Sequence, residues 1–181
     1  MERSVALIAI FAALVAALGF LPALSLGFGV PITAQSLGVM LAGTVLGAKR
    51  GGLAVLLFVA LVALGLPLLA GGRGGLGVFA SPTAGFVIGF PIAAFVTGWM
   101  MSRLQNLSVG VSAGISAVIG GIVVLYICGT IGFMAVLGRT LGETLSVFIA
   151  FIPGDVVKAV LAGVITAALA KARPASVLSR A

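Results

Sequence analysis

The residues with the clearest chemical potential are Asp155 and Lys158, which lie three residues apart in the apolar stretch FIPGDVVKAV. Pro153 predicts the first turn of a helix, because the N–H that proline lacks would be unpaired at that position anyway. Asp155 would then lie near the positive end of the helix dipole, and Lys158 would share its face one turn later. Such a pair is either an ion pair that locks the helix or a polar anchor for a ligand.

Other polar residues interrupt the apolar sequence at Thr33, Gln35 and Arg73. Thr33 and Gln35 occur in GVPITAQSLG, and Arg73 lies among glycines in GLPLLAGGRGGLGVF. Glycines on both sides free the backbone to fold closely over another group. Arg73 is therefore either a solvated loop cation or a ligand-binding residue. Thr33 and Gln35 either cap and connect helices or contribute to the same site.

The composition predicts what kind of element positions these residues. Of 181 residues, 62% are hydrophobic and 7% are charged, and the mean hydropathy is +1.39. A water-soluble domain of this size could not cover its surface with so few charges. We therefore expect an all-α integral membrane protein with a single membrane domain over residues 1–181.

Several function classes are disfavoured by the same composition. The chain has no histidine and one cysteine, Cys128, which removes most metal sites and the common pairs of nucleophile and base. We therefore expect no enzyme and no bound metal. The net charge of +7 would suit nucleic acid, but no basic stretch exceeds two residues. The positive excess is better explained as a signal of membrane topology.

Apolar runs long enough to cross a bilayer, about 20 residues each, predict a compact bundle of six transmembrane helices. The predicted spans are Val5–Leu21, Pro31–Ala48, Leu53–Leu69, Pro82–Met101, Val111–Leu137 and Pro153–Ala170. The stretch 138–152 is too short to span alone, and its sequence is compatible with either an interfacial helix or an extension of a neighbour.

Positive charges orient this bundle. With a cytoplasmic N-terminus, the outer side receives only Arg73 and Arg139. The cytoplasmic side receives the remaining cations except Lys158: Arg3, Lys49, Arg50, Arg103, Lys171, Arg173 and Arg180. This bias predicts that both termini are cytoplasmic. The glycine-rich loop after the third span and the start of the sixth then face outward, where the three polar segments converge.

The first span carries small residues at spacings of three and four: Ala6, Ala9, Ala13 and Ala17. At 100° per residue they share one helical face, and a smooth face of this kind lets another helix approach closely. The face serves either packing within the bundle or docking of a separate membrane subunit.

Four segments in order resemble the signature sequences of the BioY family, the biotin-binding substrate (S) components of energy-coupling factor (ECF) transporters. They are VPITAQSLGVMLAG, GLPLLAGGRGG, SPTAGFVIGF and PGDVVK. The resemblance extends over almost the whole chain. Where the family pattern has PTGGY, this chain has Ala84 and Phe86, so one hydroxyl group that could contact the ligand is lost.

The resemblance implies an S component in the bacterial cytoplasmic (inner) membrane that captures biotin from outside. Its partners would be a transmembrane (T) component, which contacts the alanine face of the first helix, and two cytoplasmic ATPases. The chain lacks the GxxxxGK[ST] phosphate loop, so ATP would be hydrolysed by those partners and we expect no cofactor bound by this chain. The alternatives are an S component for another vitamin and a structural membrane subunit.

The resemblance also implies roles in binding biotin. Asp155 would accept from the ureido N–H groups, and Lys158 would donate to the ureido carbonyl or orient Asp155. Arg73 or neighbouring glycine N–H groups would hold the carboxylate, between apolar walls. The expected substrate-binding residues are Asp155, Lys158, Arg73, Gln35, Thr33, Gly72, Phe79 and Phe86.

Overall fold

The computed structural model describes residues 2–25 and 30–180, and within them the chain is almost entirely helical. The helices are Glu2–Gly19 (α1), Gln35–Leu46 (α2), Ala48–Ala63 (α3), Ala84–Arg103 (α4), Val109–Val118 (α5), Leu125–Leu137 (α6), Leu141–Phe148 (α7) and Ile152–Ala172 (α8). A π turn, Ile119–Val124, joins α5 to α6 without a break, and shorter 3₁₀ segments occupy Leu76–Ala80, Ile149–Phe151, Pro174–Ser176 and Leu178–Arg180. Leu24–Ser25 (β1) and Pro31–Ile32 (β2) pair antiparallel before α2. The predicted all-helical class is confirmed.

Three stretches of the described chain are long and apolar enough to cross a membrane by length and composition. They are Ala84–Arg103, Val109–Leu137 and Leu141–Ala172. The stretch 138–152 contains α7, which continues through a 3₁₀ turn directly into α8. It is therefore continuous with its neighbour along the chain.

The predicted second and third spans are wrong at their boundaries. The second was expected to start at Pro31, but Pro31 belongs to β2 and α2 begins only at Gln35. With 12 residues, α2 extends about 18 Å at 1.5 Å per residue, less than the ~30 Å hydrocarbon core. The third was expected to reach Leu69, but α3 ends at Ala63, and Gly65 (φ 104°) turns the chain into a loop. Because α3 ends early, residues 64–75 form a loop, and this loop carries Arg73.

Small residues allow the helices to approach closely. Gly85 on α4 and Gly132 on α6 lie so close that a methyl group on either would overlap the backbone of the other. A methyl group on Gly43 of α2 would lie 2.5 Å from the carbonyl oxygen of Ala94 on α4. Such contacts hold α4 tightly against both α2 and α6.

The C-terminal end of α2 is covered by the last described residues. Val177 and Ser179 are buried, and the Ser179 hydroxyl donates to the Thr44 carbonyl. Arg180 donates to the carbonyls of Leu104 (3.2 Å) and Leu107 (2.9 Å) in the α4–α5 turn. The C-terminal segment thereby closes the end of the bundle remote from Asp155.

Candidate functional site

A cavity lies among the first turns of α2, α4 and α8, the middle of the α5–α6 helix and the loop that follows α3. The empty space among these elements, including the part that is open to solvent, is about 600 Å³. Its apolar walls are Val30, Ile32, Leu69, Phe86, Val87, Phe90, Leu125 and Phe151, and its polar groups are Thr33, Gln35, Ser36, Arg73, Thr83, Tyr126, Asp155 and Lys158.

The charged end of the cavity is built by the first turn of α8, which carries Pro153 as predicted. Lys158 Nζ lies 2.8 Å from Asp155 Oδ1, which confirms the predicted pairing, and the two side chains are only 14% and 9% exposed. Both side chains nevertheless line the cavity. The pair therefore presents a nearly neutral polar surface without bringing a net charge into an apolar environment.

Two hydroxyl groups complete the surroundings of the Asp155 carboxylate. The Tyr126 hydroxyl donates to Oδ2 at 2.6 Å. The Ser36 hydroxyl lies 3.3 Å from Oδ1 and also accepts from Lys158 Nζ at 3.0 Å. Ser36 lies in the first turn of α2, Tyr126 lies on α6 and Asp155 lies on α8, so three separate helices converge on one carboxylate.

The other polar end is formed by Arg73 in the loop after α3. Its Nε donates to the Ala70 carbonyl at 3.2 Å, and its Nη1 donates to the Thr83 hydroxyl at 3.2 Å. Gly71 and Gly72 have φ of 78° and 69°, values that favour glycine, and they let the chain turn so that Arg73 faces the cavity. Two of the five guanidinium N–H donors are used in these bonds, which leaves donors available to an anion.

Gln35 mainly supports this loop. Its amide nitrogen donates to the carbonyls of Val15 (3.3 Å) and Leu68 (3.1 Å), and its amide oxygen accepts from Ala70 N–H at 3.2 Å. Buried at 2% exposure, it ties α1, α2 and the loop together. The structure therefore favours the helix-connecting role for Gln35. Thr33 accepts from the Gln35 backbone N–H at 3.3 Å.

Of the eight expected substrate-binding residues, six line the cavity: Asp155, Lys158, Arg73, Gln35, Thr33 and Phe86. Gly72 and Phe79 lie outside the lining. Gly72 N–H already donates to the Leu69 carbonyl at 3.0 Å, and Phe79 packs against the hydrophobic core.

Three polar residues of the lining were not predicted from the sequence: Ser36, Thr83 and Tyr126. Ser36 follows Gln35 directly, so the polar interruption in GVPITAQSLG was a usable signal. Tyr126 had only the appearance of a lone aromatic residue in an apolar span, and no local pattern connects it with Asp155.

The alanine face of α1 lies on the outside of the bundle. Ala6, Ala9, Ala13 and Ala17 are exposed, whereas Ala12 and Val15 are buried at 3% and 0% exposure. Packing within the described bundle is thus carried by the opposite face of α1, and the alanine face is free to meet another membrane helix.

Comparison with known proteins gives consistent results. A model of the BioY family matches residues 2–175. The biotin transporter BioY of Rhodobacter capsulatus is 54% identical, with 99% of this chain and 100% of that protein covered. The biotin transporter BioY of Rhizobium etli is 55% identical, with 90% of each chain covered.

The fold also matches a solved structure. The crystal structure at 2.1 Å of the S component for biotin from an ECF-type ABC transporter has a TM-score of 0.88 to this chain, at 34% identity, covering 94% of this chain and 92% of that one. The four sequence segments and the fold agree with the family model. The chain therefore belongs to the BioY family.

Proposed function

We propose that this chain is the S component of an ECF transporter, binding biotin in the cavity between Arg73 and Asp155 for uptake into the cell. The observation that carries the proposal is the cavity itself, which combines apolar walls with the Arg73 cation and with the paired Asp155 and Lys158. This combination suits a ligand with an apolar body, a hydrogen-bonding ring and an acidic tail.

Biotin has this distribution of groups. Its ureido ring has two N–H donors and one carbonyl acceptor, which complement the Asp155 carboxylate and the Lys158 ammonium group. Its thiophane ring and valeryl chain would contact Phe86, Phe90 and Leu69. Its carboxylate would be held by Arg73 rather than by Gly72, because the Gly72 N–H is already engaged within the loop.

The membrane arrangement belongs to the same proposal. The chain would form six transmembrane helices in the bacterial cytoplasmic membrane, with both termini inside, as the distribution of Lys and Arg favours. The cavity would then open outward. Support comes from the C-terminal segment, which packs at the end of α2 opposite Ser36 and the cavity.

Energy would come from partner subunits. We propose that the exposed alanine face of α1 docks on a T component, which works with two cytoplasmic ATPases, and that this chain binds no cofactor and catalyses no reaction. The exposure of Ala6, Ala9, Ala13 and Ala17 supports a close helix–helix contact there.

Equilibrium binding of radiolabelled biotin to the detergent-purified chain tests the proposal. We expect saturable binding to one site per chain, displaced by unlabelled biotin. A folded protein that binds no biotin would contradict it. A thermal-shift screen of other vitamins on the same preparation would then separate an S component for another vitamin from a structural subunit, which no vitamin would stabilise.

A further inference from the structure

We propose that Tyr126 is a positioning residue of the ligand site, which holds the Asp155 carboxylate so that a single acceptor position of Oδ2 faces the ligand. The inference rests on the proposed function and names a residue that determines how that site accepts a hydrogen-bond donor. It depends on three features of the described residues: the occupancy of the carboxylate, the π turn before Tyr126 and the aromatic contacts of its ring.

The carboxylate is nearly saturated before any ligand arrives. An ionised carboxylate has about four acceptor positions, two on each oxygen. Lys158 Nζ and Ser36 Oγ occupy Oδ1 at 2.8 and 3.3 Å, and the Tyr126 hydroxyl occupies one position of Oδ2 at 2.6 Å. One position of Oδ2 therefore remains. Asp155 would accept one ureido N–H of biotin rather than both, and Tyr126 fixes the direction of that position.

The π turn explains why a tyrosine in the middle of an apolar helix reaches this carboxylate. Leu125 N–H donates to the carbonyl of Gly120, five residues earlier, so the turn contains one residue more than an α turn. An extra residue offsets the helix after the turn by roughly 100° relative to the helix before it. Gly121 can then pack on Met40, while Tyr126 faces the cavity.

Neighbouring rings hold the phenol in place. The Tyr126 ring makes edge-on contacts with Phe86 at 6.3 Å and Phe148 at 5.9 Å between centroids. These contacts do not involve the hydroxyl group. A phenylalanine at position 126 would therefore keep the packing and remove only the hydrogen bond to Asp155, which makes Tyr126→Phe a clean test.

The test is biotin affinity measured on four proteins: the wild-type chain, Tyr126→Phe, Asp155→Asn and the double variant. Tyr126→Phe is expected to weaken binding roughly fivefold, or about 1 kcal/mol. In the Asp155→Asn background the same change is expected to have less than a roughly twofold effect, because a residue that acts through another loses its effect when that residue is changed. Ile127→Val is the matched control, since Ile127 is 56% exposed and should leave affinity unchanged.

A second readout reports the hydroxyl group directly. Tyr126 is the only tyrosine of the chain, so ¹³C labelling of tyrosine Cζ gives one NMR signal for this site. We expect that signal to shift when biotin binds and also to shift in Asp155→Asn. A signal that did not change when biotin bound would contradict a role of this hydroxyl group in the site.

The outcomes separate this inference from the proposed function. No biotin binding by the wild-type chain would overturn the proposed function and this inference with it. Normal binding by both the wild-type chain and Tyr126→Phe would overturn the inference alone. The inference would also fail if Tyr126→Phe weakened binding equally with Asp155 and with Asn at position 155.

Discussion

Changing the two members of the Asp155–Lys158 pair, singly and together, distinguishes a ligand anchor from a helix lock. Lys158→Met removes the ammonium group 2.8 Å from Asp155 Oδ1 and leaves a carboxylate whose side chain is 9% exposed. Asp155→Asn keeps the size of the side chain but replaces one acceptor oxygen with an amide donor. Both changes leave one charged group of the pair without its counter-charge.

The structure sets the expected size of each effect. Breaking a buried ion pair from one side costs about 3–5 kcal/mol. Tyr126 and Ser36 still donate to Asp155, so Lys158→Met should fall at the lower end, about 3 kcal/mol. For a chain of this length that corresponds to a melting temperature lower by roughly 6–12 °C. Asp155→Asn should also lower the affinity for biotin at least about tenfold, because a charge-assisted hydrogen bond worth about 1.5–3 kcal/mol is lost.

The double variant gives the decisive comparison. Asp155→Asn/Lys158→Met leaves neither charge buried, so stability without ligand should recover to within about 1 kcal/mol of the wild-type chain. Affinity for biotin should not recover. Thermal unfolding and equilibrium binding on all four proteins measure both quantities, with Val157→Leu, 58% exposed on the same turn, as the control. Unchanged affinity in Asp155→Asn, together with stability restored in the double variant, would refute the anchor role and leave only the lock.

Three further predictions concern other parts of the molecule. Ala13→Leu adds bulk to the exposed face of α1, so biotin uptake with the energising subunits should fall while binding to the isolated chain persists; loss of neither would mean that this face meets only lipid. Gly77→Cys in a Cys128→Ala background should react with an impermeant thiol reagent from outside the cell, and labelling from the cytoplasmic side alone would contradict the proposed topology. Gly77 is suitable because a side chain there would meet no other atom within 4 Å. Arg180→Met removes the bonds to the Leu104 and Leu107 carbonyls and should lower the melting temperature without changing biotin affinity; lower affinity would show that the two ends of the bundle are coupled.

The features that were predictable from the sequence are those that depend on local spacing. Asp155 and Lys158 are one helical turn apart, so a helix alone places them on one face and their ion pair follows. The exposure of the alanine face likewise agrees with a period of three and four residues along α1. The polar interruptions around Gln35 and Arg73 converge at one cavity because lipid would not accept them elsewhere.

The features that were not predictable depend on register and on long-range contacts. Tyr126 reaches Asp155 through a π turn, and nothing in the sequence IGGIVV distinguishes a π turn from an ordinary helical one. The apolar sequence through Leu69 suggested a continuous third span, but Gly65 and Pro67 end α3 early and convert residues 64–75 into the loop that carries Arg73. Hydropathy measures how apolar a segment is and does not report where its backbone turns.

A structure of the chain with biotin bound would show whether biotin lies between Asp155 and Arg73. We expect the ureido ring at α8, with one N–H within hydrogen-bonding distance of Asp155 Oδ2 and the carbonyl near Lys158 Nζ. The carboxylate should lie against the Arg73 guanidinium group. Biotin bound outside this cavity, or with its carboxylate at Lys158 and its ureido ring at Arg73, would rule out the proposed binding site.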